Sequence, residues 1–73
     1  MTKPLQLSIA ITALNESSII IKNLKEIKNW LKKKLPSVSF EILVVDDGSS
    51  DGMGELLDNA ALKDKTLRVV HHK

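Results

Sequence analysis

Two short runs of apolar and β-branched residues, each followed by a polar turn and an amphipathic stretch, constrain this chain most. The runs are Leu5 to Thr12 (LQLSIAIT) and Phe40 to Asp46 (FEILVVD). Neither run has a helical period, and both are typical of strands buried on two faces. Leu67 to Val70 is a shorter run of the same kind. The sequence therefore predicts three strands.

Helical periodicity fills the two gaps between these strands. From Ser17 to Leu35, apolar residues recur at spacings of three and four, which predicts a helix with one apolar stripe. Pro36 ends this helix, because proline disfavours helical geometry in the residue before it. A second helix is predicted to end near Lys63. The two stripes comprise Ile20, Leu24, Ile27, Leu31 and Leu35, and Met53, Leu56, Leu57, Ala60 and Ala61.

The alternation of strands and helices predicts an α/β fold with a three-stranded parallel sheet. Right-handed crossovers and a strand order of 3-2-1 would place both helices on one face of the sheet. Yet the strands are apolar in both alternating sets, for example Ile42 and Val44 against Leu43 and Val45. One apolar face would be uncovered, so we expect either that the natural domain continues or that this piece self-associates.

Composition excludes several classes of protein. The chain has 73 residues, at most one domain, and its 42% hydrophobic and 27% charged residues indicate neither disorder nor a membrane span. The lack of cysteine excludes disulfides and thiolate metal sites. The start lacks the features of a signal peptide, so a cytoplasmic location is expected. A net charge of +2 is too small to indicate a nucleic-acid partner.

Most of the lysines lie in the first helix. A lysine-rich helix is a candidate for contact with an anionic membrane surface, at the inner face of the membrane, although a solvated helix face is the favoured interpretation. Trp30 is interpreted as a packing residue of the same helix. The lysines are Lys22, Lys25, Lys28, Lys32, Lys33 and Lys34.

Ligands of open parallel sheets bind beyond the carboxyl ends of the strands, which directs attention to residues 12–16 and 45–52. Asp46 and Asp47 are adjacent at a strand end and should point to opposite faces, one toward the crevice and one toward the structure. A carboxylate accepts hydrogen bonds only, so it favours a ligand that offers an N–H. Uracil and guanine carry such a ring N–H on their pairing edge. An acid there selects a uridine or guanosine nucleotide.

The remaining polar residues at the strand ends have structural interpretations. The cluster Gly48 to Gly52 is predicted to be a turn, with Asp51 as the N-cap of the second helix. Its spacing is neither a Walker nor a dinucleotide fingerprint. Glu16 could complement the dipole of the first helix, and Asn15 could be its N-cap. His71 and His72 are predicted to end the third strand without a catalytic or zinc partner.

Together, the segments SIAITALNE (residues 8–16) and EILVVDDGSSDG (residues 41–52) resemble the opening of family 2 glycosyltransferases. The resemblance implies that residues 1–73 are the N-terminal, incomplete portion of a Rossmann-like domain of GT-A type that binds a UDP- or GDP-sugar. It assigns base contact to Asp47, with Asp46 left as structural. The other nucleotide-binding residues that it implies are Thr12, Leu14, Asn15, Glu16 and Val45.

The chain departs from the family pattern in two ways. Thr12 and Leu14 stand where proline and tyrosine are usual, so the base pocket should lack an aromatic stacking contact. The metal-binding Asp-x-Asp motif, the general base and the acceptor site are not in this chain, which should therefore be inactive alone. For the intact enzyme the resemblance implies Mg²⁺ or Mn²⁺ and an acceptor such as a polyprenyl phosphate or a glycan.

Two other classes of function remain open from the sequence. A non-enzymatic, receiver-like module would hold Mg²⁺ with the acidic pair, but it predicts an acid at the end of the third strand, where this chain has Val70, His71 and His72. An oligomerising α/β module would use the uncovered sheet face.

Overall fold

A computed structural model describes residues 4–72. Within that range the chain forms β1 (Leu7–Ala13), α1 (Ile20–Lys34), β2 (Phe40–Asp46), α2 (Met53–Lys63) and β3 (Leu67–His71). The predicted α/β order of elements is confirmed. The predicted Leu5 to Thr12 strand begins two residues later and ends one residue later, and the third strand extends by one residue to His71.

The strands among these residues form a parallel sheet in the order β1-β2-β3, with β2 in the centre. Ile9 pairs with Ile42, which pairs with Leu67, and Ile11, Val44 and Val69 form the next row. One row further toward the carboxyl ends lie Ala13, Asp46 and His71. The predicted order 3-2-1 is this arrangement.

Both helices cover the same face of the sheet. Ile42 and Val44 on β2 are almost completely buried together with Leu31 of α1 and with Met53 and Leu57 of α2. The predicted apolar stripes face this core, although Leu35 and Leu56, at its edges, remain more than a third exposed. The core is one layer between the helices and the sheet.

The first helix begins three residues later than the sequence predicts. The N–H groups of Ile19 and Ile20 both donate to the backbone oxygen of Glu16, at 3.0 and 2.9 Å, and residues 17–19 form a turn. The position before the helix is occupied by Ile19, with no side-chain cap. Asn15 is therefore not the N-cap. The helix ends at Lys34, before Pro36, as predicted.

The second face of the sheet is not covered by any element among residues 4–72. Near the amino ends of the strands this face is polar, because Glu41 accepts hydrogen bonds from Ser8 Oγ at 2.7 Å and from Arg68 Nη1 at 3.2 Å. Toward the carboxyl ends it is mainly apolar. This open face comprises Ser8, Ala10, Thr12, Glu41, Leu43, Val45, Arg68 and Val70.

Two surface features complete the fold. No helix in the described part of the chain is long and apolar enough to cross a membrane. Trp30 is 57% exposed, so its interpretation as a packing residue is wrong. Its position on α1 explains this, because it lies outside the apolar stripe that faces the sheet.

Candidate functional site

The two adjacent acids at the end of β2 point to opposite sides of the sheet. Asp46 is only 4% exposed, on the face that the helices cover. The side chain of Asp47 is 54% exposed. The backbone N–H of Asp47 donates to the oxygen of Ala13 at 3.0 Å, so β1 and β2 remain paired as far as this residue. Asp46 thus faces the structure, as predicted for one acid of the pair, and that the exposed Asp47 faces a ligand crevice stays a prediction.

Asp46 organises the loop that follows it. Its Oδ1 accepts a hydrogen bond from the N–H of Ser49 at 3.0 Å, and its Oδ2 lies 3.0 Å from Nδ1 of His71. The hydrogen bond from Ser49 lowers the pKa of Asp46 against the opposing effect of burial, and His71 lowers it further. Asp46 is thus a buried carboxylate with a partner on each oxygen.

Asn15 connects the loop after β1 to the loop after β2. Its N–H donates to Ser49 Oγ at 2.9 Å, and its Oδ1 accepts from the N–H of Ser50 at 2.8 Å. Asn15 adopts a left-handed backbone conformation with φ of 49°. Asparagine tolerates this conformation better than most residues, which suits it to this position.

A second connection between the two loops runs through Asp51. Its Oδ2 accepts from the N–H of Ser17 at 2.9 Å, and its Oδ1 accepts from the N–H of Met53 at 3.1 Å. The hydrogen bond from Ser17 is the main cause of the lowered pKa of Asp51. The predicted bond to the start of α2 exists, but the capping position itself is Gly52, in the left-handed conformation with φ of 88°. The two loops are therefore connected at both ends.

The residues predicted to bind a nucleotide fall in two groups. Thr12 and Val45 are direct neighbours in the sheet register and lie on the open face near its carboxyl end. Leu14 and Asp47 follow these strands and are exposed. Asn15 is connected to the second loop, whereas Glu16 is half-buried before the turn into α1. The structure places all six on the two adjoining loops and strand ends.

Both terminal histidines contact acids, which sequence reasoning missed. Besides Asp46, His71 contacts Asp58 of α2, with 2.8 Å between Nε2 and Oδ1. His72 Nδ1 lies 2.8 Å from Asp47 Oδ1, and its backbone N–H donates to the oxygen of Asp46 at 2.7 Å. The available signal was the parallel sheet, since it places the end of β3 beside the end of β2. The sequence does not give the register between the strands, so it could not show which acid each histidine contacts.

The comparison with known protein families identifies the chain. The model of the family described as "Glycosyl transferase family 2" matches residues 8–73. The chain belongs to glycosyl transferase family 2. The resemblance of the two strand-end motifs to this family is confirmed. The match covers the whole sheet apart from its first paired residue, and both helices.

Two curated relatives match most of the chain. The glycosyltransferase AglD of Haloferax volcanii is 30% identical over 66 residues, 90% of this chain and 11% of that protein. The dolichyl-phosphate beta-glucosyltransferase ALG5C of Trichomonas vaginalis is 34% identical over 64 residues, 84% of this chain and 19% of that protein. The chain thus spans less than a fifth of the length of either relative. No solved structure matches the chain significantly.

Proposed function

We propose that this chain is the nucleotide-sugar-binding segment of a family 2 glycosyltransferase, with a UDP- or GDP-sugar as ligand. The observation that carries the proposal is the exposed carboxylate of Asp47, beside Val45 and Thr12 at the carboxyl end of a parallel sheet. Ligands of open α/β sheets bind at this edge. Family membership supports sugar transfer as the reaction of the intact protein.

Asp47 would recognise the base through its ring N–H. A carboxylate accepts hydrogen bonds and has no proton to donate, so it pairs with the N–H of uracil or guanine and is mismatched with the ring acceptor of adenine. His72 occupies one of the two carboxylate oxygens, at 2.8 Å. The other oxygen remains for the base, and His72 would also fix the orientation of the carboxylate.

The other proposed residues would shape the pocket. Val45 and Thr12 offer a small surface against the base, and Leu14, which is 50% exposed, replaces an aromatic side chain with an aliphatic one. Loss of a stacking contact weakens base binding by about 1 kcal/mol or more. Asn15 and Glu16 would hold the loop after β1 in position at the edge of the pocket. We therefore propose a pocket that is selective for the base but of modest affinity.

For the intact enzyme we propose Mg²⁺ or Mn²⁺ as the cofactor, and we do not assign the ion to this segment alone. No group of three or more His, Cys, Asp or Glu side chains within residues 4–72 is arranged to hold a metal ion. The opposite orientations of Asp46 and Asp47 are the physical reason why this acidic pair does not converge on one ion.

The acceptor and the cellular location extend the same proposal. One relative is named as a dolichyl-phosphate beta-glucosyltransferase, which supports a polyprenyl phosphate as the acceptor of the intact protein over a glycan. A polyprenyl acceptor lies in a membrane, so we propose a cytoplasmic protein that works at the inner face. The exposed Lys22, Lys25, Lys32 and Lys33 of α1 would favour an anionic lipid surface there.

Titration of the chain with UDP, GDP and ADP, followed by NMR, tests the proposed binding. We expect the amide signals of Asp47 and Glu16 to shift with UDP or GDP and to respond much less to ADP. Asp47→Asn should weaken UDP or GDP binding by about tenfold, because the amide loses the charge and can present a donor to the base. Glu26→Gln, which removes an exposed charge on α1, is the matched control and should bind as the wild type does.

An equal response to all three nucleotides would overturn the proposed base selection. Absence of any shift at Asp47 and Glu16 would overturn the proposed site. Equal weakening in Glu26→Gln would show that overall charge, rather than the Asp47 carboxylate, governs binding.

A further inference from the structure

The side chain of His71 bridges two carboxylates from different elements. Nδ1 lies 3.0 Å from Oδ2 of Asp46 at the end of β2, and Nε2 lies 2.8 Å from Oδ1 of Asp58 on α2. Asp46 is buried, whereas the Asp58 side chain is 59% exposed. Both ring nitrogens can donate only when the imidazole is protonated.

A glycine on α2 leaves space for the contact between His71 and Asp46. Gly54 lies on α2 where a Cβ atom would stand 3.1 Å from Asp46 Oδ2 and 3.3 Å from His71 Cε1. Such contacts are tighter than ordinary van der Waals contact. Glycine, although a weak helix former, leaves room for the ring and the buried carboxylate to approach the helix backbone.

A continuous series of hydrogen bonds leads from His71 to the candidate site. Asp46, which contacts His71, accepts from the N–H of Ser49, and Ser49 Oγ accepts from the N–H of Asn15. Asp47 is the next residue after Asp46. These contacts connect His71 to the loop that carries Asp47 and, through Ser49, to Asn15.

We propose that His71 is a positioning residue for nucleotide binding, which holds the loop of residues 46–51 through Asp46 and does so more firmly when protonated than when neutral. This inference rests on the proposed function, because the nucleotide is its ligand. His71 does not touch the nucleotide in this proposal. It acts through Asp46.

Protonation strengthens this hold for a geometric reason. A neutral imidazole has a lone pair on one nitrogen, and that lone pair would face a carboxylate oxygen, so one of the two contacts must break. The contact that remains still has an ionised acceptor but loses the positive charge of the donor, so it is weaker than the contact of the imidazolium. The hydrogen bonds to Asp58 and then to Asp46 raise the pKa of His71 above its ordinary value.

Every element packed against His71 adds to this environment. Asp46 faces it from β2, and Asp58 faces it from α2, where Glu55 lines the same cavity of about 470 Å³. His72, which follows it, contacts Asp47 instead. A test must therefore separate His71 from His72.

Nucleotide affinity measured against pH tests the inference. UDP-glucose and GDP-mannose are suitable probes, because their diphosphates do not titrate between pH 5.5 and 8.5. For the wild-type chain we expect about threefold weaker binding of the preferred probe at the upper pH, with the midpoint at which the His71 ring signals titrate by NMR. His71→Asn keeps a donor but cannot titrate, so this pH dependence of binding should disappear.

Asp58→Asn separates charge from contact. It keeps an oxygen beside Nε2 but removes the negative charge, so the midpoint should move to lower pH. Glu26→Gln removes an exposed charge on α1, away from this cavity, and should leave the midpoint where the wild type has it. If His71→Asn does not fold, Asp58→Asn and the wild type still decide the question.

The outcomes distinguish this inference from the proposed function. Identical pH profiles of wild type and His71→Asn, or an unmoved midpoint in Asp58→Asn, would overturn the positioning role. If neither probe binds at any pH, the proposed function fails, and the amide signals of Ser49 and Asn15 become the readout. Shifts of these two amide signals that follow the His71 titration would support the coupling of His71 to the loop. Signals that do not change with pH would overturn it.

Discussion

Asn15 combines an uncommon backbone conformation with two hydrogen bonds of opposite direction. Its φ of 49° places it in the left-handed region, and it both donates to Ser49 and accepts from Ser50. Glycine can adopt this conformation without a steric cost but lacks the accepting side chain. Alanine lacks the acceptor and also has an unfavourable Cβ atom. A pair of substitutions can therefore separate the two contributions.

Asn15→Gly and Asn15→Ala should lower the free energy of unfolding by different amounts. We expect Asn15→Gly to cost about 1 kcal/mol, through the lost hydrogen bond to Ser50. Asn15→Ala should cost about 1 to 2 kcal/mol more, through backbone strain. Urea unfolding followed by circular dichroism measures both. Equal losses in the two variants would show that the left-handed conformation of Asn15 stores no strain.

The elements were more predictable than the contacts between them. The order of strands and helices follows from apolar periodicity, which is local, and β2 coincides with the predicted segment from Phe40 to Asp46. The sequence predicts the start of α1 three residues too early. A hydrogen bond distant in sequence, from the N–H of Ser17 to Asp51, holds residues 17–19 in a turn before the helix. The sequence does not predict the contacts of His71 with Asp46 and Asp58, because these residues are also distant in sequence. Periodicity identifies a face, whereas a hydrogen bond depends on the register between strands.

The turn between α2 and β3 depends on one carboxylate. Asp64 Oδ2 lies 2.8 Å from Lys28 Nζ of α1, and Asp64 Oδ1 accepts from the Thr66 N–H at 2.9 Å and from Thr66 Oγ1 at 2.6 Å. Burial raises the pKa of Asp64, but the hydrogen bonds from Lys28 and Thr66 outweigh it and lower the pKa to about 2. This carboxylate thus holds α1, α2 and β3 together.

Acid titration of stability should reveal the contribution of Asp64. Because its pKa is lower in the folded chain, the ionised group stabilises the fold above about pH 4, and this contribution is lost as the pH falls toward 2. With allowance for solvent screening, we expect about 1 to 2 kcal/mol. Asp64→Asn should lose that amount at pH 7 and show a correspondingly smaller decrease in acid. Glu26→Gln, on the exposed face of α1, should match the wild type in both respects.

At the scale of the whole fold, residues 4–72 leave one sheet face covered and one open, and the open face is mainly apolar where the candidate site lies. Ala10, Leu43, Val45 and Val70 lie there in two neighbouring rows, and Val70 is 45% exposed. The opposite end of this face carries the polar contacts of Glu41. Self-association through this face therefore stays a prediction for the chain on its own. It would bury Val45 and Thr12, two of the residues proposed to contact the nucleotide.

Nucleotide binding and self-association should therefore compete. By mass action, a ligand that binds only the free face shifts the equilibrium toward the monomer, by a factor that grows with its concentration relative to its dissociation constant. Sedimentation velocity should show association that increases with chain concentration and decreases on addition of UDP or GDP. Leu43→Lys, in the centre of the open face, should abolish association, whereas Leu62→Lys, on the exposed side of α2, should not. A monomer at all concentrations would remove the case for self-association, and a dimer that persists with bound nucleotide would place its interface elsewhere.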